Sequence, residues 1–320
     1  MTREAERQSG RLERRCGGVY SKPVKFALPS YAKVNLHLRV IGKREDGFHD
    51  IFTIFQTVTL HDTISFSSSE GRIELECDDP DVPKGQENLI IRAADALRSR
   101  FDASSGARIR LEKRIPMGGG LGGGSSNAAA TLIGLNRLWS LGASAEELAD
   151  AGAFLGSDVP FFLTGGSAIG IGRGTKIEAM PDIRAGYILI VTPEAHVSTA
   201  EAYARLGAER LTNEQSNRIL RVCRTGVNSS SFLQGALIND FEAAVFSQFP
   251  EIGRAKERLL DLGARQALMS GSGASVFGIF DKVETRQAAL KALDTEVNWR
   301  RFAVAAVSRD EYREKMGLAS

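Results

Sequence analysis

The sequence predicts an α+β protein of two domains. Its first half opens with three runs of strand-forming residues, and a glycine-rich loop then joins a strand pattern to a helix pattern. The second half mixes helix patterns with short strand patterns. A chain of 320 residues is long enough for two hydrophobic cores, and we place the boundary near Pro181. The predicted segments are a disordered extension, two domains and a tail: residues 1–25, 26–181, 182–310 and 311–320.

The first strand is predicted at residues 30–40, where apolar and polar residues alternate strictly, a pattern typical of a strand with one buried face. Its apolar face carries Ala32, Val34, Leu36, Leu38 and Val40. Lys33 and Asn35 lie on the polar face, which we expect to be solvated when the segment is taken alone, because most charged side chains are exposed. Two further strands are predicted at residues 51–66 and 73–77.

Residues 116–126 form a loop with six glycines: Gly118, Gly119, Gly120, Gly122, Gly123 and Gly124. Without side chains, backbone N–H groups in such a loop can surround an anion. Ser125, Ser126 and Asn127 are common helix N-cap types, and a helix after them would direct the positive end of its dipole toward the same anion. A flexible linker is the alternative, but a linker has no reason to lead directly into a capped amphipathic helix. The loop therefore predicts a nucleotide-phosphate site.

The residues after the loop argue against the two commonest phosphate-binding motifs. A Walker A loop needs a lysine after its glycines, and none follows here. A dinucleotide-binding fold needs an acidic residue about 20 residues after its glycines, where this chain has Asn136, Arg137 and Trp139. The chain is therefore not expected to be a P-loop NTPase or a Rossmann protein.

Helix and strand patterns surround the loop and continue to the end of the chain. A helix at residues 87–100 and a strand at 107–111 precede the loop. Gly142 ends the helix after the loop, and Ser144 with Glu147 forms a capping box for the next helix. The remaining predicted elements are a helix at 145–155, a hairpin at 164–180, strands at 187–192, 267–269, 275–280 and 302–307, and helices at 199–206, 231–246 and 252–262.

Two further segments carry polar groups at chain breaks. Asp158 lies in the sequence GSDVP, between a helix pattern and a proline, where its carboxylate is displayed. Aspartate is also a preferred helix N-cap, and a cap is the favoured interpretation for this residue alone. Residues 270–273 form a glycine–serine turn between two apolar strands, and turn chemistry alone explains them.

Charge and cysteine content exclude several classes of protein. The 41 basic and 39 acidic residues leave a net charge of +2, so the overall charge gives no support for nucleic-acid binding. Cys16, Cys77 and Cys223 are odd in number, widely spaced and never in a C-x-x-C pair, so neither a zinc site nor a disulfide framework is indicated, which is typical of a reducing cytoplasm. No apolar run approaches the ~18 residues of a membrane span, and residues 1–20 lack the apolar core of a signal peptide. We expect a cytoplasmic protein without nucleic-acid or membrane partners; the oligomeric state is not predicted.

The chain resembles the GHMP family of small-molecule kinases in that family's three signature regions, in the same order. SYAKVNL is similar to the first motif, PMGGGLGGGSSNAAATL to the ATP loop and MSGSGASVF to the third motif. The sequences AKVNL, REDGFH, GSDVPFF and NDFE are most similar to members that phosphorylate a cytidine diphosphate-linked methylerythritol in non-mevalonate isoprenoid synthesis. The resemblance covers residues 26–308. It implies an N-terminal domain like domain 2 of ribosomal protein S5 and a ferredoxin-like C-terminal domain.

The resemblance also implies a role for each site residue. Asp158 would accept a hydrogen bond from the substrate hydroxyl, as a base or an orienting group, and Lys33 would stabilise charge on the transferred phosphoryl group. ATP would be the co-substrate, with Mg²⁺ bridging its phosphates and no protein ligand assigned to the metal. The implied ATP-binding residues are Pro116, Met117, Gly118, Gly119, Gly120, Leu121, Gly122, Gly123, Gly124, Ser125 and Ser126. The implied substrate-binding residues are Asn35, Phe48, His49, Asp158, Thr199 and Tyr203.

Two aromatic rings in this implied site would sandwich a cytosine, and stacking of this kind contributes about 1–3 kcal/mol per base. Phe48 stands where the family often has tyrosine, and Tyr203 where it often has phenylalanine, so both positions keep an aromatic face. Two alternatives stay open. One is another GHMP kinase acting on mevalonate, homoserine or a sugar, and the other is a non-catalytic member that senses nucleotide. Retention of Lys33 and Asp158 favours a catalytic protein.

Overall fold

The computed structural model describes residues 25–183, 185–206, 221 and 237–318. Residues 1–24 of the predicted extension, Cys16, Cys223 and the first part of the helix predicted at 231–246 lie outside the described residues. The domain boundary near Pro181 stays a prediction.

The strands of the first half form one sheet around a long central strand, β2. They are β1 (Lys25–Lys43), β2 (His49–Ser69), β3 (Ile73–Cys77), β4 (Gly106–Glu112), β5 (Ser167–Gly172) and β6 (Lys176–Ala179). One edge of β2 pairs antiparallel with β1, and the other edge pairs with β4 and then with β5. β3 runs parallel to β4, and β6 extends the sheet beyond β5. The strands predicted at 51–66, 73–77 and 107–111 all lie in this sheet.

Helices cover one face of this sheet. They are α1 (Leu89–Phe101), α2 (Gly123–Leu138), α3 (Ala145–Leu155) and α4 (Val159–Thr164). Apolar residues of α1 and α2, such as Leu97 and Leu132, share a core with Phe66 of β2. The capping box predicted at Ser144 and Glu147 is confirmed, because each side chain bonds the backbone N–H of the other residue. Capping thus fixes where α3 begins.

The second half adds a four-stranded antiparallel sheet in the order β10–β7–β9–β8. Its strands are β7 (Tyr187–Pro193), β8 (Gln266–Met269), β9 (Val276–Phe280) and β10 (Trp299–Val304), and its helices are α5 (Thr199–Leu206), α6 (Glu242–Gln248), α7 (Pro250–Asp261), α8 (Val283–Ala292) and α9 (Arg309–Met316). The strand predicted at 302–307 ends at Val304, because the next residues turn to the first sheet, where Val307 N donates to Thr57 O at 2.9 Å. In the described part of the chain, no helix combines the length and apolarity needed to cross a bilayer.

Strand β1 is buried on both faces near its centre, which corrects the prediction of a solvated polar face. Its apolar face, with Val34 and Leu36, packs on residues of the second sheet such as Ile190. Lys33 is only 3% exposed and Asn35 only 2%. The alternating pattern correctly predicted which side chains share a face. It could not show that residues distant in sequence cover the second face.

Helix α2 begins earlier than its sequence suggests. Gly122, with φ of +72°, is the N-cap, and Gly123 is the first helical residue. The glycine permits a left-handed backbone that most residues avoid, so the chain enters the helix before reaching the predicted caps. Ser126 and Asn127 therefore lie within α2, not at its cap, and both side chains are buried. Ser30 Oγ donates to Ser126 Oγ at 2.8 Å, and Asn127 Nδ2 donates to Ser30 Oγ at 2.8 Å. Their side chains fasten the helix to β1.

Candidate active site

The glycine loop, β1, the residues before α4 and the 270–273 turn surround one cavity of about 500 Å³. Most of the residues predicted for the site line it: Lys33, Asn35, Pro116, Met117, Gly118, Gly119, Gly120, Leu121, Gly122, Gly123, Gly124, Ser125, Asp158, Thr199 and Tyr203. Ser126, Phe48 and His49 do not. The fold therefore brings together segments that are far apart in sequence.

Protein donors hold the carbonyl groups of the glycine loop. The carbonyl of Gly119 accepts from Ser275 N at 3.1 Å, and that of Gly120 accepts from Ser270 Oγ at 3.0 Å. The carbonyl of Leu121 accepts from Lys33 N at 3.0 Å. Because the C=O and N–H of a trans peptide point in opposite directions, the N–H groups that follow these carbonyls are directed away from these donors. The protein thus fixes the loop conformation through these carbonyls, and the following N–H groups are not used by the donors that hold them.

Gly120 shows why this loop needs glycine. Its φ is +71°, and a Cβ at this position would lie 2.1 Å from the backbone oxygen of Ser270. The 270–273 turn therefore packs against the glycine loop and supports it, a role that its turn chemistry did not indicate. The first helical residue, Gly123, also lines the cavity, so the positive end of the α2 dipole faces the space where the loop would hold an anion.

Lys33 connects the glycine loop to the predicted catalytic carboxylate. Its Nζ donates to Gly120 O at 2.7 Å and to Asn35 Oδ1 at 2.5 Å, and it lies 3.5 Å from Asp158 Oδ2. Burial lowers the pKa of the Lys33 ammonium, and the Asp158 charge opposes that shift. Lys33 is therefore a buried side chain in the cavity wall, paired with Asp158, rather than a solvated surface residue.

Asp158 occupies the N-cap position of α4, as its sequence context allowed, but its side chain makes no capping hydrogen bond. Its carboxylate instead forms the ion pair with Lys33 and remains 30% exposed to the cavity. A cap would direct the carboxylate at the backbone of its own helix. This carboxylate is available to a ligand, which the capping interpretation does not explain.

Two aromatic residues, Tyr203 and Phe241, also line the cavity. The Tyr203 ring stacks on His49 with centroids 4.7 Å apart, and Phe241 meets it edge-on at 4.8 Å. Burial raises the pKa of the Tyr203 hydroxyl to about 12, and the Asp158 charge adds to this shift. Burial also lowers the pKa of His49. Phe48 is 48% exposed and lies outside this cluster, so the structure does not place Phe48 and Tyr203 in one stack.

Comparison with known proteins agrees with this arrangement. Residues 88–166 match the family profile of the GHMP kinases N terminal domain, and residues 227–298 match that of the GHMP kinases C terminal. A protein of Syntrophotalea carbinolica named 4-diphosphocytidyl-2-C-methyl-D-erythritol kinase is 43% identical over 278 residues, which cover 87% of this chain and 97% of the relative. The chain belongs to the GHMP kinase family. A relative of the same name from Moorella thermoacetica is 43% identical and is covered over 92% of its length.

Solved structures of GHMP kinases have the same two-domain fold. The crystal structure of a 4-(cytidine 5'-diphospho)-2C-methyl-D-erythritol kinase superposes with a TM-score of 0.70 at 32% identity, covering 88% of this chain and 99% of that one. Homoserine kinase from Cytophaga hutchinsonii gives a TM-score of 0.66 at 20% identity, covering 96% and 99%. The second likeness establishes the fold alone.

The NDFE motif of this GHMP kinase holds the third signature turn in place. Asn239 Nδ2 donates to Met269 O at 2.7 Å and to Gly271 O at 2.8 Å, while Glu242 Oε1 accepts from Met269 N at 2.9 Å. Asp240 Oδ2 accepts from Val40 N at 2.8 Å. The motif therefore ties the end of β1 to the turn beneath the glycine loop. Asn239, Asp240 and Glu242 position other residues, since none of the three lines the cavity, whereas Phe241 of the same motif does line it.

Sequence reasoning missed a buried ion pair at residues 113–115, directly before the glycine loop. Asp62 is fully buried and accepts from Lys113 Nζ at 2.6 Å and Asn127 Nδ2 at 2.9 Å. It also accepts from the backbone N–H groups of Arg114 at 2.6 Å and Ile115 at 2.8 Å. The available signal was an aspartate inside a strand pattern, which is costly unless the charge is paired.

Proposed function

We propose that this protein uses ATP to phosphorylate the 2-hydroxyl of 4-diphosphocytidyl-2-C-methyl-D-erythritol, a step toward isoprenoid precursors in the non-mevalonate route. Relatives that carry the name of this kinase match nearly their whole length at 40–43% identity. One structural observation carries the chemistry. The Lys33 ammonium contacts both the phosphate loop, at Gly120 O, and the Asp158 carboxylate.

The glycine loop supports the role of ATP as phosphoryl donor. Phosphoryl transfer asks the protein mainly to position two reactants and to stabilise charge. The backbone N–H groups of the loop and the N-terminus of α2 would bind the phosphates without reorganising, because Ser275, Ser270 and Lys33 already hold the loop carbonyls. ATP phosphates would then lie beside the Lys33 ammonium.

Asp158 and Lys33 support transfer to an alcohol. Asp158 would accept a hydrogen bond from the acceptor hydroxyl, either orienting it or taking its proton as the new P–O bond forms and the bond to ADP breaks. The ammonium of Lys33 would keep Asp158 ionised and stabilise the negative charge that develops on the transferred phosphoryl group. Both roles require the two side chains to be adjacent, as they are at 3.5 Å.

Mg²⁺ belongs to the proposal as a companion of ATP. In such sites it is bound by one or two protein oxygens together with phosphate oxygens. Within the described residues, no three His, Cys, Asp or Glu side chains converge on a metal site, so the protein would contribute few ligands. Asp158 and the hydroxyl of Ser125 are the oxygen donors that would hold the ion beside the loop. Mg²⁺ would neutralise charge on the phosphates.

Acceptor binding is proposed for Asn35, Phe48, His49, Thr199 and Tyr203. Asn35 is held by Thr53 Oγ1 at 2.7 Å, next to Lys33, and Thr199 Oγ1 shares a hydrogen bond with Ser272 Oγ at 2.9 Å. One face of Tyr203 is covered by His49. A cytosine stacked on that face would take the place of the imidazole and leave His49 to bond the edge of the base. We further propose that the enzyme acts in the cytoplasm, without nucleic-acid or membrane partners.

A coupled assay of ADP release with Mg²⁺ and ATP tests the proposal. The acceptors are 4-diphosphocytidyl-2-C-methyl-D-erythritol, mevalonate, homoserine and galactose, in parallel reactions. We expect turnover with the cytidyl acceptor alone. Turnover with another acceptor would keep the kinase chemistry but refute the proposed substrate, and no turnover with any of them, in protein that binds ATP, would favour a nucleotide-sensing member.

A further inference from the structure

We propose that Arg173 is a specificity-determining residue that binds the diphosphate of the acceptor. This inference rests on the proposed function, because only a diphosphate-linked acceptor presents such an anion at this side of the cavity. Arg173 lies between Gly172 and Gly174 in the turn that joins β5 to β6, and its side chain lines the cavity. It belongs to none of the three signature motifs.

The guanidinium of Arg173 is held in place, but its Nε makes no hydrogen bond within the described part of the chain. It lies over the Phe48 ring, 3.6 Å from the centroid. Stacking uses only the face of the guanidinium, so its N–H donors in the plane remain available. Its Nε is buried and has no hydrogen-bond partner among the described residues, and a buried donor left in that state is costly. A ligand oxygen would satisfy it.

Among the described residues, the other cations that line the cavity have acidic partners, so Arg173 is the one available to bind an anion other than the ATP phosphates. Lys33 pairs with Asp158, and Lys113 pairs with Asp62. Over the part of the chain that the structure describes, Arg173 forms no ion pair. Asp46 interacts with the charge of Arg173, but it forms its ion pair with Arg44. A guanidinium binds two phosphate oxygens at once, which suits a diphosphate.

The sheet register places Arg173 at a suitable distance from the reacting groups. Ile51 of β2 pairs with Gly172, whereas Phe55, four residues further along β2, pairs with Ala168 and with Asn35. That interval is roughly 13 Å along a strand, and since β1 and β5 lie on opposite edges of β2, about 10 Å across the sheet makes the backbone separation roughly 16 Å. The long side chain of Arg173 covers part of this distance, and in the acceptor a short carbon chain separates the reacting hydroxyl from the nearer phosphate. One molecule can therefore contact Asp158 and Arg173 together.

Steady-state kinetics of Arg173→Gln and Arg173→Lys test the proposal, with Arg265→Gln as the matched control. Arg265 is an exposed arginine outside the cavity and pairs with Asp281. We expect Arg173→Gln to raise the KM for the cytidyl acceptor about 10- to 100-fold, the loss expected for a hydrogen bond to a charged group, and to leave the KM for ATP within twofold. Arg173→Lys should recover part of the loss because it keeps the charge.

Inhibition by cytidine diphosphate and by cytidine gives a second readout that a structural role would not change. The wild type and Arg265→Gln should bind cytidine diphosphate more tightly than cytidine, and Arg173→Gln should lose that preference. An unchanged acceptor KM in Arg173→Gln, or equal losses in the Gln and Lys variants, would overturn the inference. These outcomes differ from a failure of the proposed function, in which the wild type itself does not turn over the cytidyl acceptor.

Discussion

Replacing Asp62 by asparagine should destabilise the protein strongly, although Asp62 does not line the active-site cavity. Asparagine has the same shape and can still accept from the backbone N–H groups of Arg114 and Ile115. It cannot neutralise Lys113, which is only 7% exposed. The carboxylate now accepts from Lys113 Nζ at 2.6 Å and from Asn127 Nδ2 at 2.9 Å. The amide nitrogen of asparagine would place a donor against these two donors.

The magnitude follows from the pair that is broken. Removing one partner of a buried ion pair costs about 3–5 kcal/mol, because the other charge stays buried without compensation. At roughly 2–4 °C per kcal/mol, we expect the melting temperature of Asp62→Asn to fall by about 6–20 °C in differential scanning calorimetry. Asp78→Asn is the matched control. Asp78 is exposed and accepts a single hydrogen bond from the same segment, at Lys113 N, so its loss should be about 1 kcal/mol.

A double variant separates the charge from the packing. In Asp62→Asn combined with Lys113→Met, no buried cation remains, and replacing a whole buried pair by neutral groups is often nearly neutral. The double variant should therefore melt higher than Asp62→Asn alone. The reasoning is refuted if Asp62→Asn melts within 2 °C of the wild type, as roughly 1 kcal/mol or less would imply, or if the double variant is the less stable of the two.

Three other predictions concern the carboxylate of Asp158, the glycine loop and the partly buried His37. Asp158→Asn should lower kcat by about 10²–10⁴-fold while the Kd for ATP changes less than threefold; unchanged turnover would contradict its role. Gly120→Ala should weaken ATP binding at least about tenfold, because its Cβ would lie 2.1 Å from a backbone oxygen, whereas Gly142→Ala, also at positive φ but with open space around it, should bind ATP normally. Burial and then the Arg39 charge lower the pKa of His37 to about 4 from 6.5, against the opposing charge of Asp240. Between pH 6.5 and about 4 the unfolded chain therefore binds more protons than the folded protein. The free energy of unfolding should fall as the pH drops through this range, on the order of 1 kcal/mol per pH unit. In urea titrations, His37→Gln should remove that slope, whereas the exposed His196→Gln should not.

Local patterns predicted the secondary structure well where local chemistry decides it. The capping box at Ser144 and Glu147 fixes the start of α3, because both hydrogen bonds lie within four residues. The start of α2 was predicted too late, since Ser125 is a good cap by type but Gly122 adopts the left-handed conformation first. Residue preferences rank caps without knowing which backbone conformation the preceding loop will adopt.

The site was harder to predict than the fold because burial is a property of distant segments. Lys33 was placed correctly on one face of β1, but the pattern could not show that the glycine loop covers that face. Asp62 could be recognised only as a charge inside a strand pattern, and its partners could not be predicted, because its four donors come from residues 51 to 65 positions away. Motif resemblance supplied Asp158, whose own sequence context favoured a helix cap.

Lys33 explains why the three signature segments must be present together. Its backbone N–H donates to Leu121 O, and its ammonium donates to Gly120 O, so one residue fixes two successive carbonyls of the glycine loop. The same ammonium lies 3.5 Å from Asp158. Ser270 bonds the Gly120 carbonyl as well. A shift of the third-motif turn would therefore move the Gly120 oxygen that positions the Lys33 ammonium, and through Lys33 it would move the partner of Asp158. The glycine loop and the Lys33–Asp158 pair are thus coupled through one residue, so under the proposed function ATP binding and orientation of the acceptor hydroxyl would both depend on Lys33.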